Sequence, residues 1–222
     1  MQELAGIPRS SAGDVIVGRA TGQRAIMLVG SEESQDGLIA YHLFVRPGGS
    51  GLREHVHPTI IERFRVLRGR VGVRIDGEER LLEKGADLTI PPGTPHYWWN
   101  AGPGEAEMLV QIDQGRRFEL MVCTLFGLGN DRLTTRKGMP RLLQRAVIAR
   151  EFRDVAEFVK PSRILQRLVF GVLAPIGQAL GYQPCYPRYL RPHGSTAQDP
   201  AVLELLDQSR EADAGERTFA AA

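Results

Sequence analysis

The sequence has 222 residues, of which 42% are hydrophobic and 24% are charged. This balance is typical of an ordinary globular protein and excludes a disordered, fibrous or membrane-embedded chain. The formal net charge is only +2, from 28 basic and 26 acidic residues that are scattered along the chain, so we predict no nucleic-acid partner. Two cysteines without a CxxC pair exclude a disulfide framework and a thiolate zinc site.

We expect no sorting signal and no membrane span. Residues 1–13 lack a positive region followed by an apolar one, and their small and polar side chains predict a flexible N-terminal segment. The longest apolar stretch, residues 164–182, is interrupted by Arg167, Pro175 and Gln178, whereas a span needs about 20 predominantly apolar residues. A cytoplasmic protein is therefore predicted.

Residues 14–115 consist of short β runs that are separated by glycine and proline. In residues 38–45, the alternation of side chains places Tyr41 and His42 on opposite faces of one strand. Asp76-Gly77 supplies a tight hairpin turn between two further runs. Many short strands at this spacing predict a sandwich or barrel.

The hydrophobic period then lengthens toward that of a helix, which predicts a helical extension over residues 116–192, packed on the barrel. Residues 141–152 and 155–160 are predicted to be helical. Pro161-Ser162 opens a further helix with one apolar stripe, which comprises Leu165, Leu168, Val172 and Ile176.

This apolar stripe has four possible placements: against the barrel, over its mouth as a lid, between two protomers, or on a membrane surface. We favour the first three, because the polar face of the helix is not strongly cationic. The tail, residues 193–222, is predicted to contain one short helix, with Asp199 as its N-cap and Pro200 as its first residue.

Two histidines and a glutamate form the first chemically informative group. His55 and His57 are two residues apart, so on a strand their imidazoles point to the same side. Glu62 follows five residues later, which on an unbroken strand places it on the opposite face. Pro58 stands where the chain must bend if the three side chains are to converge.

A second block about thirty residues later completes this group. The tight loop formed by residues 92–95 delivers His96 onto the next strand. Three imidazoles and one carboxylate are a suitable set of ligands for one divalent ion of Fe, Mn, Ni, Cu, Co or Zn. A metal site at His55, His57, Glu62 and His96 is therefore predicted, because the same cluster without metal leaves a costly buried charge.

Both blocks resemble the paired signature motifs of the cupin superfamily at every defining position. The first motif reads Gly49-x5-His55-x-His57-x4-Glu62-x6-Gly69. The second reads Gly85-x5-Pro91-x-Gly93-x2-His96-x3-Asn100. The resemblance implies a mainly β fold, a cupin-type jelly-roll barrel over residues 14–115 with a C-terminal α-helical extension. It also implies a bound metal and a homodimer paired through strand edges.

Residues around the predicted metal suggest a pocket for a small molecule. If His96 points inward, alternation turns Trp98 inward, and Phe64 and Val66 share the face of Glu62. These side chains form either an apolar substrate pocket or simply the barrel core. Arg53 shares the face of His55 and either meets a substrate carboxylate at the barrel mouth or is solvated.

Two residues are candidates for acid–base chemistry. Glu62 either stays a ligand or moves off the metal to act as a base. His42 either faces the barrel interior, where it supports the metal ligands or acts as a general base, or is a packed core histidine, which we favour.

The leading functional hypothesis is a metal-dependent enzyme that acts on a small, largely apolar molecule. A dioxygenase-like oxidoreductase is preferred from the family resemblance alone. A metal-dependent isomerase or lyase and a non-catalytic binding or regulatory module are the alternatives. Oxygen consumption separates the dioxygenase-like enzyme from the isomerase or lyase. Whether the pocket is open or filled by side chains bears on the binding module.

Overall fold

Two antiparallel sheets enclose one hydrophobic core in the computed structural model, which describes residues 9–135 and 138–220, with side chains to residue 212. The seven-stranded sheet has the order β12-β1-β2-β3-β10-β5-β8, and the five-stranded sheet the order β11-β4-β9-β6-β7. The strands of the first 112 residues are β1 Asp14–Gly18, β2 Gln23–Val29, β3 Ile39–Val45, β4 His55–Val56, β5 Glu62–Arg68, β6 Arg70–Ile75, β7 Glu78–Glu83, β8 Asp87–Ile90, β9 His96–Asn100 and β10 Ala106–Ile112. The predicted mainly β fold is confirmed.

Strand alternation creates the core. Along β5, Glu62, Phe64 and Val66 are buried, whereas the residues between them are half-buried on the other face. Apolar side chains from both sheets interdigitate with them, as in a sandwich closed around its interior. The predicted hairpin at Asp76-Gly77 is present, with β6 and β7 paired on either side and both turn residues at positive φ, 51° and 87°.

In the described residues, four α-helices follow or flank the barrel: α1 Gly115–Asn130, α2 Leu142–Glu151, α3 Arg163–Ala179 and α4 Pro200–Ala220. The helix predicted over residues 141–152 is confirmed. Ser162 caps α3 by accepting a hydrogen bond from the Leu165 amide, and Asp199 accepts one from the Ala201 amide at the start of α4. None of the helices in the described residues is long and apolar enough to cross a membrane.

The helix predicted over residues 155–160 is wrong. The chain there forms β11, Glu157–Phe158, which pairs with β4, and Val159 donates its amide to the carbonyl of Glu54. The unpaired edge of β4 offers backbone partners, and this tertiary pairing overrides a weak local helix preference.

The C-terminal helix is longer than the short helix predicted. Helix α4 has 21 residues, because the segment after Leu206 is rich in helix formers and contains no proline. Its residues Val202 and Leu206 pack on the outer face of the seven-stranded sheet, against Leu28 and Leu109. Just before α4, strand β12 Gly194–Ser195 joins the edge of that sheet beside β1.

Helix α1 packs into the barrel core, whereas α3 packs on α2 through small residues such as Ala174 and Gly177. The apolar stripe predicted on α3 lies on its opposite, exposed side. Leu168 and Val172 are 66% and 64% exposed. Leu168 and Val172 therefore do not pack against the barrel of the same chain.

Candidate metal centre

Three histidines converge because β4 and β9 are neighbouring strands. His55 pairs directly with His96 across them, and His57 lies one position beyond the end of β4, on the same side as His55. The chain then bends at Pro58 and crosses to the other sheet, where Glu62 begins β5. The five-residue separation of His57 and Glu62 required a bend, and the structure shows that the chain passes from one sheet to the other there.

The donor atoms of the four side chains lie close enough together to bind one ion. The Nε2 atoms of His55 and His57 are 3.1 Å apart, and Glu62 Oε2 lies 3.5 Å from His57 Nε2 and 3.1 Å from His96 Nε2. One ring nitrogen of each of the three histidines lies within 4.8 Å of the others. All four residues are at most 4% exposed.

Backbone carbonyls hold the other nitrogen of each imidazole. His55 Nδ1 donates to the carbonyl of Arg53 at 2.9 Å, His57 Nδ1 to that of Val155 at 2.6 Å, and His96 Nδ1 to that of Thr94 at 2.9 Å. Such bonds fix the tautomer that leaves the Nε2 lone pair free to bind a metal.

The donor set fits a divalent metal ion. Glu62 Oε2 and His96 Nε2 are fully buried and have no hydrogen-bond partner, although they lie close together. Burial disfavours the charged form of Glu62, but His57 and His96 hold the pKa of its carboxyl below the usual range. Burial also holds the pKa of His55 well below its usual range. A buried carboxylate beside converging lone pairs needs a cation, and His/Glu ligands suit a transition metal.

Known proteins share this domain. Residues 41–112 match the family model described as the cupin domain. Residues 41–112 therefore form a cupin domain. Among curated proteins, the probable oxidoreductase virH of Hypocrea virens is 26% identical over an alignment of 160 residues, and the match covers 68% of this chain and 73% of that protein.

Two further similarities cover only part of the chain. Germin-like protein 3-3 of Oryza sativa subsp. japonica is 36% identical over an alignment of 90 residues, and the match covers 36% of this chain and 39% of that protein. An RmlC-like cupin structure from Shewanella frigidimarina is 21% identical, with a TM-score of 0.40, and the match covers 52% of this chain and 96% of the other.

Two of the four predicted metal ligands face a large, mostly apolar cavity of about 1200 Å³ inside and above the cupin barrel. Glu62 and His55 contribute to its wall, beside Tyr41 and Leu43 of β3. Helices α1, α2 and α3 form the far wall with mostly apolar side chains, among them Phe118, Met121, Ile148, Phe152, Leu165 and Val169. The helical extension thus covers the mouth of the barrel.

The four predicted pocket residues divide into two pairs. Trp98 and the exposed Arg53 line the cavity. Phe64 and Val66 do not line it and belong to the closed core, where the rings of Phe64 and Trp98 meet edge to face at 6.1 Å. Trp98 and Arg53 are therefore part of the pocket, and Phe64 and Val66 are part of the core.

His42 faces away from the cavity, so the interpretation in which it lines the barrel interior and acts there as a base is wrong, and the favoured alternative of a packed, hydrogen-bonded histidine fits its position. Its Nε2 lies 3.1 Å from Glu107 Oε2 on the outer face of the seven-stranded sheet. Burial lowers the pKa of His42, and Glu107 only partly offsets this effect. Helix α4 covers this face, and the alternation of β3 directs Tyr41 and Leu43 inward instead.

Sequence reasoning missed three features of the site. Tyr41 lines the cavity, and the alternation that separates it from His42 was the available signal. Arg145 of α2 also lines the cavity, and its Nε is buried without a hydrogen-bond partner. The Val155 carbonyl, which holds His57, comes from the extension and had no signal in the sequence.

Proposed function

We propose that this protein is a metal-dependent oxidoreductase of dioxygenase type that acts on a small, largely apolar organic molecule. The observation that carries the proposal is the position of Glu62 and His55, whose side chains form the polar end of an apolar cavity. The name of the Hypocrea virens relative, a probable oxidoreductase, supports the reaction class. Dioxygen is the co-substrate that this class requires.

A Fe, Mn, Ni, Cu, Co or Zn ion held by His55, His57, Glu62 and His96 would supply Lewis acidity, and redox capacity if it is iron or copper. The chain itself orients the three imidazoles through backbone carbonyls and surrounds the space for a substrate with mostly apolar side chains of the helices. Burial raises the pKa of Tyr41 well above its usual range, so its phenol stays protonated and can donate a hydrogen bond to a substrate oxygen.

Arg145 suggests that the substrate also carries an acidic group. Its guanidinium lies on the cavity wall formed by α2, and its buried Nε has no hydrogen-bond partner. A buried donor without a partner is costly, and a carboxylate or phenolate is the group that guanidinium binds best. We therefore propose an apolar acid, with its acidic end at Arg145 and its reacting end at the metal.

Elemental analysis of the purified protein tests the metal, and oxygen uptake with apolar aromatic and aliphatic acids tests the reaction. We expect about one equivalent of metal, lost in a His55→Ala/His96→Ala double variant and retained in His193→Ala, a histidine outside the cluster. Absence of metal in the wild type, even after reconstitution, would contradict the proposal.

Oxygen uptake then separates the reaction classes. We expect oxygen uptake that depends on the predicted metal ligands. In Arg145→Met, the KM for the acidic substrate should rise. Turnover of a substrate without oxygen uptake would replace the oxidoreductase by a metal-assisted isomerase or lyase. Tight binding of a ligand without turnover would favour a non-catalytic module.

A further inference from the structure

Helix α3 carries an unusual concentration of exposed apolar side chains. Of the ten large hydrophobic residues that are strongly exposed in the described chain, seven lie on α3 or at its C-cap. They are Ile164, Leu165, Leu168, Val169, Val172, Ile176 and Leu180. A contiguous apolar face of this kind on a soluble domain marks a surface that another partner covers.

Four arginines surround a small cavity beside this apolar face. The cavity measures about 150 Å³ and lies between α2, β11 and α3, with Arg150, Arg153, Arg163 and Arg167 in its wall. Glu157 pairs with Arg163 and Arg167, each at 3.3 Å. Arg150 and Arg153 form no ion pair with the described residues, so the cavity keeps a positive charge.

The positive charge extends over the whole helical extension. Residues 116–192 contain fourteen basic and five acidic residues, although the complete chain has a net charge of only +2. Helix α3 itself contains two arginines and no acidic residue. The sequence argued against a membrane surface because α3 by itself is only weakly cationic, but the fold adds Arg150 and Arg153 beside it. An apolar helix face with this basic border matches an anionic lipid surface in both hydrophobicity and charge.

A second copy of the chain is a poorer partner for this face. In a two-fold dimer the same patch meets itself, which brings the arginines around the small cavity toward those of the other copy. Like charges at such a contact oppose association. The charge of the extension therefore favours a negatively charged partner.

The large cavity reaches the surface at the same face. Leu165 and Val169 are exposed and also line the cavity that contains Glu62. We propose that α3 lies in the plane of an anionic membrane, with its apolar face in the lipid and lipid phosphates at the arginine-lined cavity. An apolar molecule dissolved in the lipid then has a short path into the barrel, but the docking itself does not depend on the reaction.

Sedimentation of the full-length protein with vesicles tests the proposal. One vesicle population contains phosphatidylcholine alone, and the other contains phosphatidylcholine with phosphatidylserine. We expect binding to the anionic vesicles that weakens as salt is added. Leu168→Glu should reduce it by about tenfold to a hundredfold, the worth of inserting one leucine. Leu81→Glu is the matched control, because Leu81 is 53% exposed on β7, outside this face, and should leave binding unchanged.

A second pair of substitutions tests the charged part of the surface. Arg150→Gln/Arg153→Gln should weaken binding to anionic vesicles by about fivefold for each arginine. The same variant should bind neutral vesicles like the wild type.

Three results would overturn the proposal. The first is the absence of binding to anionic vesicles, and the second is equal binding by Leu168→Glu and Leu81→Glu. The third is a dimer, seen in light scattering, that Leu168→Glu dissociates in a protein that does not bind vesicles; it would assign the face to a second copy of the chain.

Discussion

Phe152 positions the carbonyl that holds one of the predicted metal ligands. Its own carbonyl accepts the amides of Val155 and Ala156, each at 2.9 Å, and its ring is 2% exposed in the core between α2 and the barrel. The turn that it stabilises carries the Val155 carbonyl, to which His57 Nδ1 donates at 2.6 Å. The helical extension is therefore expected to contribute to metal affinity.

Replacing Phe152 by alanine should have two separate effects. Loss of a fully buried phenylalanine costs about 3–5 kcal/mol of unfolding free energy. Loosening the group that orients a metal-binding imidazole lowers metal affinity by about tenfold to a hundredfold. Phe152→Leu should show the same two effects at smaller size, and it provides a folded protein if the alanine variant does not fold.

Leu206→Ala distinguishes the second effect from general destabilisation. Leu206 is also 2% exposed but packs under α4, on the outer face of the seven-stranded sheet. Its truncation costs about 2–5 kcal/mol. Urea unfolding in the presence of a chelator measures stability, and competition with a chromophoric chelator measures metal affinity. Equal metal affinity in the wild type, Phe152→Ala and Leu206→Ala would refute a role of the extension in orienting His57.

Further predictions concern the metal, pH and thiol chemistry. Metal at about a hundred times its Kd should stabilise the fold by about 2.7 kcal/mol and raise Tm by roughly 5–10 °C, and calorimetry should find no such shift in His55→Ala/His96→Ala. Burial lowers the pKa of His42 in the folded protein, so this histidine binds a proton more readily in the unfolded chain. The free energy of unfolding should therefore fall by up to about 1.4 kcal/mol for each pH unit below about 6.5. His42→Gln should flatten this part of a urea-unfolding series, and an unchanged slope would contradict the assignment. Burial also raises the pKa of Cys123, so mass spectrometry should find it alkylated by iodoacetamide at pH 8 only after unfolding. Light scattering at micromolar concentration tests the predicted homodimer, which a monomer would contradict.

Local chemistry in the sequence was enough to predict the ligand cluster and the barrel. The spacing of His55 and His57 fixes their common side, Pro58 marks the bend before Glu62, and a tight loop introduces His96. The turn at Asp76-Gly77 likewise depends on which residues tolerate positive φ. These features are predictable because each depends on residues close together in the chain.

Features that depend on distant segments needed the tertiary structure. Alternation separates the two faces of β3 but does not tell which one faces the cavity, because α4 buries the outer face and His42 with it. Trp98 and Phe64 both face inward. Trp98 borders the space that the helices leave open, whereas Phe64 is packed in the core, and the sequence does not distinguish these two positions.

The sequence by itself determined which residues form the predicted metal cluster and where the strands lie, because motif spacing and side-chain alternation act within a few residues. Only the tertiary structure decided that residues 157–158 form a strand, that the Val155 carbonyl holds His57, and that the apolar stripe of α3 stays exposed. The physical reason is that backbone pairing and burial are settled between segments about a hundred residues apart, where local preferences of a few tenths of a kcal/mol are easily overridden.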